Sequence, residues 1–449
     1  VIRQVLLWSV QAAVVYVSVG AVVHLLLAVT GAWSVIRHRR YRDAPSRSGR
    51  GEVSAKLPVS VVMVEQDDDP TVADRIEALA SLDYPAFEVI VVSDGPIGAH
   101  LARAMTWLHA APIDLIYRPV IATARVTACY HAATAPNLVV LEKQRTTSAD
   151  AYNAGLNAAR SPFVCMLGVG SRLDRRALSE LMASVAEDPE RIVAVSGIER
   201  TMCAAGAARR PVPVLWSVIE GARTALTAAG LGPILGIFLP PRGCLLVQKK
   251  AVLRVGGFVD RHGAEYADLL FRVRRALADQ RLPRRMVFLP KPVALIPGPE
   301  SLTGLARRYH DRCVGALGCV ADQLPAGNAL LVGWRMIAPL LDVGVAVGVT
   351  AAFRWGLVDF SSLLLVWMSF LAVRTAYSSA AILLMDAMFA EDPSRRDVGR
   401  LFASAVLEPM IYRPMAAWWT LRAVWQHRRL GKHARLQPDP TTTPDPQPV

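Results

Sequence analysis

From Val5 to Ile36 the chain is a long apolar run, broken only by small or weakly polar residues. A bilayer is spanned by roughly 20 such residues, so this run is long enough to cross one. It is too long for the apolar core of a secretory signal, and no small-residue cleavage site precedes the basic cluster Arg37-His38-Arg39-Arg40-Tyr41-Arg42. By the positive-inside rule that cluster places the downstream chain in the cytoplasm. The composition agrees. At 53% hydrophobic and 19% charged, the 449 residues are too apolar for a wholly soluble enzyme. The net charge is +13, carried almost entirely by arginine, and the arginines lie beside apolar runs at 37–42, 395–400 and 428–435. That placement fits anionic lipid and topology setting, not nucleic acid. The six cysteines form no CxxC pair and no metal-ligand spacing, so they read as small buried hydrophobes of a reducing compartment.

A polar linker at 43–56 leads into a mixed domain over 57–320. Val59–Val64 reads as a buried parallel strand, Thr71–Leu82 as a helix, and Phe87–Val92 as a second strand closed by Ser93-Asp94-Gly95-Pro96. A third strand is expected near Leu138–Leu141, a helix over Ser148–Ala159, and a buried strand over Phe163–Leu167 that stops at Gly168-Val169-Gly170. Strands alternating with helices predict a mostly parallel sheet covered on both faces. Residues 212–240 read as an amphipathic helix pair lying on a membrane surface. Beyond 326, Met336–Phe353 and Leu363–Phe389 read as two spans. Leu401–Trp425 is interrupted by Glu408, Pro409, Arg413 and Pro414 and reads as interfacial or re-entrant. The end of the chain, 426–449, is basic and then rich in Pro and Thr, a composition that favours disorder.

Three segments carry a resemblance. Leu79-Ala80-Ser81-Leu82-Asp83-Tyr84-Pro85 precedes Phe87–Val92, the helix contains Ala151-Tyr152-Asn153-Ala154-Gly155-Leu156-Asn157, and Val255-Gly256-Gly257-Phe258 is followed by Glu265. Together they resemble glycosyltransferase family 2, in particular the membrane-embedded polysaccharide synthases related to hyaluronan, chitin and cellulose synthases. The resemblance covers about residues 55–320. It implies an α/β fold: a cytoplasmic glycosyltransferase A-type domain between N- and C-terminal transmembrane helices, in a multi-pass protein of a bacterial plasma membrane. It also implies a nucleotide diphosphate sugar, Mg²⁺ or Mn²⁺, and transfer with inversion. The leaving diphosphate needs a cation, and the acceptor hydroxyl needs a carboxylate base.

Position by position, the family's chemical groups are missing. Its Asp-x-Asp falls at Gly168-Val169-Gly170, its Glu-Asp at Glu265-Tyr266, its Gln-x-x-Arg-Trp at Arg308–Arg312, and the Lys before its helix at Ser148. A phenol with a pKa near 10 is a poor base. Glu265 and Asp268 are the remaining candidates for that role. Asp67, Asp94 and Asn153 are candidates to touch a nucleotide, and Arg307, Arg308 and Arg312 to touch phosphate or lipid. Glu65-Gln66-Asp67-Asp68-Asp69 is a solvated loop or a displaced metal site. The resemblance therefore implies a non-catalytic family member that needs no cofactor and supports an active family 2 synthase or another polysaccharide-export subunit. Two alternatives stand beside it. One is an active transferase with relocated chemistry. The other is a membrane interaction or glycan-conduit subunit, suggested by the Gly-rich 230–243 segment and by Arg335, Asp342, Arg374 and Asp386 in the spans.

Overall fold

A computed structural model describes residues 2–43, 57–114, 119–202, 211–235, 242–261, 263–279, 285–323, 326–388 and 395–434. Most of the 43–56 linker, the tail beyond 434 and residues 236–241 of the 212–240 and 230–243 segments lie outside them. The elements in chain order are α1 (Ile2–Asp43), β1 (Val59–Glu65), α2 (Val72–Ala80), β2 (Phe87–Asp94), α3 (Ala99–Trp107), β3 (Ala110–Pro112), β4 (Val126–Ala132), β5 (Leu138–Lys143), α4 (Ser148–Ala158), β6 (Phe163–Leu167), β7 (Arg172–Leu173), α5 (Ala177–Glu187) and β8 (Ile192–Met202). They continue with α6 (Val212–Leu235), β9 (Cys244–Gln248), α7 (Lys249–Arg254), α8 (Glu265–Asp279), β10 (Arg285–Pro297), α9 (Leu302–Gln323), α10 (Ala326–Arg354), α11 (Phe360–Met388) and α12 (Arg395–Ala434).

The strands form one sheet in the order β3-β4-β5-β2-β1-β6-β9-β8-β10-β7. The sheet is mixed, not mostly parallel. β5, β2, β1 and β6 run parallel, as do β8 and β10, but β9 enters antiparallel between β6 and β8, and both edges are antiparallel. The expected strands are present and a little longer than the apolar runs that mark them. Every residue of β1 is buried, because helices cover both faces of the sheet. Val59, Val61 and Met63 enter one core with Ile76, Leu101 and Leu178, from α2, α3 and α5. Val62 and Val64 enter the other with Leu156, Val252 and Leu269, from α4, α7 and α8. β1 lies between β2 and β6, so the chain winds outward from it on both sides. In open α/β sheets, the carboxyl edge at such a point is where ligands bind.

Three helices are long and apolar enough to cross a membrane, over Leu6–Arg37, Gly333–Arg354 and Phe360–Asp386. They pack with α6 and α12 into a bundle. The 212–240 segment is not an amphipathic pair: residues 212–235 form the single helix α6, and no residue from 213 to 231 is exposed. Its two charges face protein. Glu220 binds Arg312, and Arg223 donates to Glu408 at 3.0 Å. The 401–425 segment is likewise not re-entrant, since α12 runs unbroken through Pro409 and Pro414.

Buried charges join the bundle. Asp342 of α10 pairs with Arg374 of α11 and, at 3.2 Å, with Arg413 of α12. Tyr16 of α1 donates to Asp342 at 2.7 Å and accepts from Arg374 at 2.8 Å. Arg413 also meets Glu408 at 3.0 Å. Arg335 lies 3.7 Å from Glu220, while Asp386 is exposed. Three of the four charges expected in the spans are therefore paired.

Helices α1 and α6 touch through facing glycines. A Cβ on Gly31 would lie 2.9 Å from the Leu226 carbonyl, and one on Gly230 would lie 2.7 Å from Thr30 Oγ1. Gly31→Val should therefore cost about 1–3 kcal/mol by overpacking. Gly344→Ala, with nothing within 4 Å of its Cβ, should be neutral. Thermal unfolding of the two variants in detergent checks this.

Candidate functional site

The carboxyl edge of β1, β2, β5 and β6 gathers most of the residues singled out in the sequence. At the end of β6 the edge is crowded by the protein itself. Gly168 ends β6, and its N–H donates to the Gly243 carbonyl at 3.0 Å. A Cβ built on Gly168 would overlap the Arg242 carbonyl oxygen and lie 3.1 Å from Ser171 Oγ. Gly170 has φ +72°, and its Cβ would meet Pro297 at 3.0 Å. Position 168 has no room for a metal-binding side chain, and at position 170 one would crowd Pro297 and strain the left-handed backbone. Glu199 of β8 holds the covering segment in place, accepting from the backbone N–H groups of Arg242 at 2.9 Å, Gly243 at 2.5 Å and Cys244 at 3.0 Å. Burial still raises the Glu199 pKa, against the pull of these donors.

The acids around this edge are also engaged. Asp94 accepts from Lys143 Nζ at 2.6 Å, Gln66 Nε2 at 2.9 Å and the Thr146 N–H at 3.0 Å. Lys143 is fully buried and reaches Asp150 at 2.8 Å as well. Glu65 and Asp69 share Arg75, at 2.8 and 3.2 Å. Burial raises the Glu65 pKa, with Arg75 opposing. Asp67 is exposed and pairs with Arg145. Asp68 accepts from the His100 N–H at 2.8 Å, at the start of α3. The loop acids are thus spread over separate partners, and no group of three or more His, Cys, Asp or Glu that could hold a metal occurs among the described residues. Asn153 exchanges two hydrogen bonds with the Phe258 backbone, at 2.9 and 2.8 Å, and so ties α4 to the Gly256-Gly257 turn.

The base candidates separate. Asp268 is buried between Arg261 at 3.0 Å and Arg272 at 2.6 Å, so it is a structural anchor and not a free base. Tyr266 is buried with its ring 5.5 Å from that of Tyr152, and burial pushes its pKa well above the ordinary phenol value. Glu265 is buried and accepts from the Gly263 N–H at 3.0 Å and from Ser148 Oγ at 3.4 Å. The structure thus joins two positions 117 residues apart that the sequence marks separately.

The arginines do not form an open cradle. Arg307 is exposed, Arg308 donates to the Pro297 carbonyl at 2.5 Å, and Arg312 clasps Glu220 and stacks 5.5 Å from the centre of the Tyr309 ring. Burial works to raise the Glu220 pKa, but Arg312 overrides it and holds the carboxyl at about 2.

Sequence reasoning missed Lys143, Arg75, Glu199 and Arg242. A lysine closing the apolar strand Leu138–Lys143 is a visible anomaly. Nothing local marks Arg242, which is far from Gly168 in the chain. Lys143→Met should leave the buried Asp94 and the half-buried Asp150 without this cation and cost about 3–5 kcal/mol. Adding Asp94→Asn should recover part of that loss in a chemical-denaturation double-mutant cycle.

No family model and no curated protein matches the chain. Among solved structures, it is similar to a mannosyltransferase from Pyrobaculum calidifontis in complex with GDP-Man and Mn²⁺. The two share 14% identity over 90% of this chain and 99% of that one, with a TM-score of 0.49. It is also similar to TarS 1-349 of S. aureus in complex with UDP-GlcNAc, at 12% identity over 84% and 92% of the two chains, with a TM-score of 0.38. Both TM-scores are below 0.5, too low to carry an inference about this chain.

Proposed function

We propose that this chain is a membrane protein of glycosyltransferase family 2 fold whose catalytic edge is closed, and that it supports or regulates polysaccharide synthesis by an active partner. One observation carries the proposal: the Arg242 carbonyl occupies the place where a side chain at position 168 would begin. Both metal-ligand positions therefore lack a ligand and position 168 lacks space for one, so the residues present do not fit Mg²⁺ or Mn²⁺. The commitment of Asp94 to Lys143 and of Asp268 to two arginines points the same way. In this reading the protein sits in a bacterial plasma membrane with its sheet domain in the cytoplasm, on the side set by Arg37–Arg42. Its partners are membrane lipid and an active family 2 synthase or another export subunit. Nucleotide sugar or glycan is the candidate ligand.

The test is to incubate purified full-length chain with nucleoside diphosphate sugars and Mn²⁺. It should release no nucleoside diphosphate above the buffer rate, and an active transferase should co-isolate from the native membrane. Metal-dependent release by the chain alone would refute the proposal.

A second reading rests on Glu265, a buried carboxylate with no cation paired to it among the described residues. It would serve as base in a metal-independent transfer. Glu265→Gln should then abolish turnover, and an unchanged rate eliminates this reading.

A further inference from the structure

A cavity opens in the bundle between α1, α6 and α11. Its volume is about 360 Å³, and Ala28, Ala32 and Ile36 of α1, Leu226 of α6, and Ala380 and Leu383 of α11 line it. The helices are held together beside it. One turn before Ala28, the His24 ring meets Tyr377 edge-on with centroids 4.4 Å apart, and Arg374 reaches His24 Nε2 at 3.3 Å. On the other flank Gly31 packs against Leu226. Past these contacts the alanines at 28, 32 and 380 are too short to bridge α1 and α11, so a gap remains. Every lining residue is Ala, Val, Ile or Leu. Water finds almost no hydrogen-bond partner in such a cavity, and an apolar occupant suits it.

The cavity lies at the end of the spans that touches the sheet domain. Ile198 of β8 and Phe288 of β10 join the apolar cluster that contains Ala28, Leu226 and Leu384. Ile36 and Leu383, 50% and 55% exposed, mark its mouth, while Leu226 at its floor is buried. Helix α1 is thinly covered by protein: 6% of its apolar window is buried, against 33% and 39% in the other two spans. The mouth therefore opens to the medium around the spans, which in a membrane is lipid. From Ala28 to Ile36 the cavity runs about 12 Å at about 1.5 Å per residue, so its mean cross-section is about 30 Å². A helix about 10 Å across needs about 80 Å². The space suits a single hydrocarbon chain and excludes a helix of a partner.

We infer that this cavity holds one acyl chain of an anionic phospholipid, with the headgroup beside Arg37. Arg37 follows Ile36 at the mouth and is exposed, with its guanidinium 5.1 Å from the centre of the exposed Trp33 ring. The sequence continues with His38-Arg39-Arg40-Tyr41-Arg42. Trp and Arg side by side suit the headgroup level, and the basic charge complements a phosphate. Asp386 of α11, three residues past Leu383, is an acid near the mouth in sequence, and the arginines outnumber it. A lipid bound there splints α1 to α11 where the alanines leave a gap. This rests on the membrane reading alone and holds whether or not the chain is catalytic.

The test is native mass spectrometry of the full-length chain, moved into mild detergent from vesicles of equal phosphatidylcholine and phosphatidylglycerol. The chain should retain one phospholipid through delipidation. It should prefer phosphatidylglycerol about fivefold, the worth of one arginine near an anionic headgroup. Ala32→Leu and Ala380→Leu fill the cavity from opposite helices, and each should abolish retention. Val23→Leu adds the same bulk on the exposed opposite face of α1 and should leave retention unchanged. Loss of all lipid from the unsubstituted chain, equal retention of the two lipids, or retention that neither alanine substitution lowers would each overturn the inference.

Discussion

A backbone carbonyl stands where a metal-binding side chain would have to begin. The Arg242 oxygen against Gly168 is a steric constraint, and the arrangement of the surrounding edge follows from it. The covering segment stays in place because Gly243 accepts from Gly168, and because Glu199 collects three consecutive backbone N–H groups beneath it. The Glu199 carboxylate is satisfied by the chain itself. The same holds at Asp94, where Lys143 supplies the positive charge. Such an edge keeps its hydrogen bonds and ion pairs satisfied without a bound nucleotide, which is what the proposed supporting role asks of it.

Much of the sheet could be read directly from the sequence. The β-branched runs at Val59–Val64 and Phe87–Val92 become strands that pair residue for residue, because a run buried on both faces has few other places to go. The break at Gly168 was equally visible. What replaces the acid there was not, since Arg242 is brought to β6 by β9, an antiparallel strand that follows the whole of α6. Local patterns carry no information about such a return. Asp268 shows the same limit: its helical offset from position 266 is plain in the sequence, but its partners Arg261 and Arg272 are fixed only when the Gly256-Gly257 turn folds back on α8.

The charges of the bundle show the same limit. Glu408 and Arg413 interrupt the apolar run at 401–425 in the sequence, and Glu220 and Arg223 interrupt the run that forms α6. In the fold they face one another across α6, α9, α10 and α12, so they join helices instead of meeting water. Removing one member of such a buried set costs more than the set contributes, because its partner is left as an unpaired charge. The bundle and the Asp94–Lys143 pair share this property: a buried charge is met by an opposite charge of the protein.

The most direct measurement of the central claim is Mn²⁺ electron paramagnetic resonance on the purified full-length chain, with and without a nucleoside diphosphate. With chain and ion at comparable concentrations, a closed edge predicts the same free-ion amplitude as the identical mixture of ion and nucleotide without protein. Loss of free-ion signal beyond that protein-free control, dependent on the nucleotide, would show a metal–diphosphate site on the chain and contradict the account.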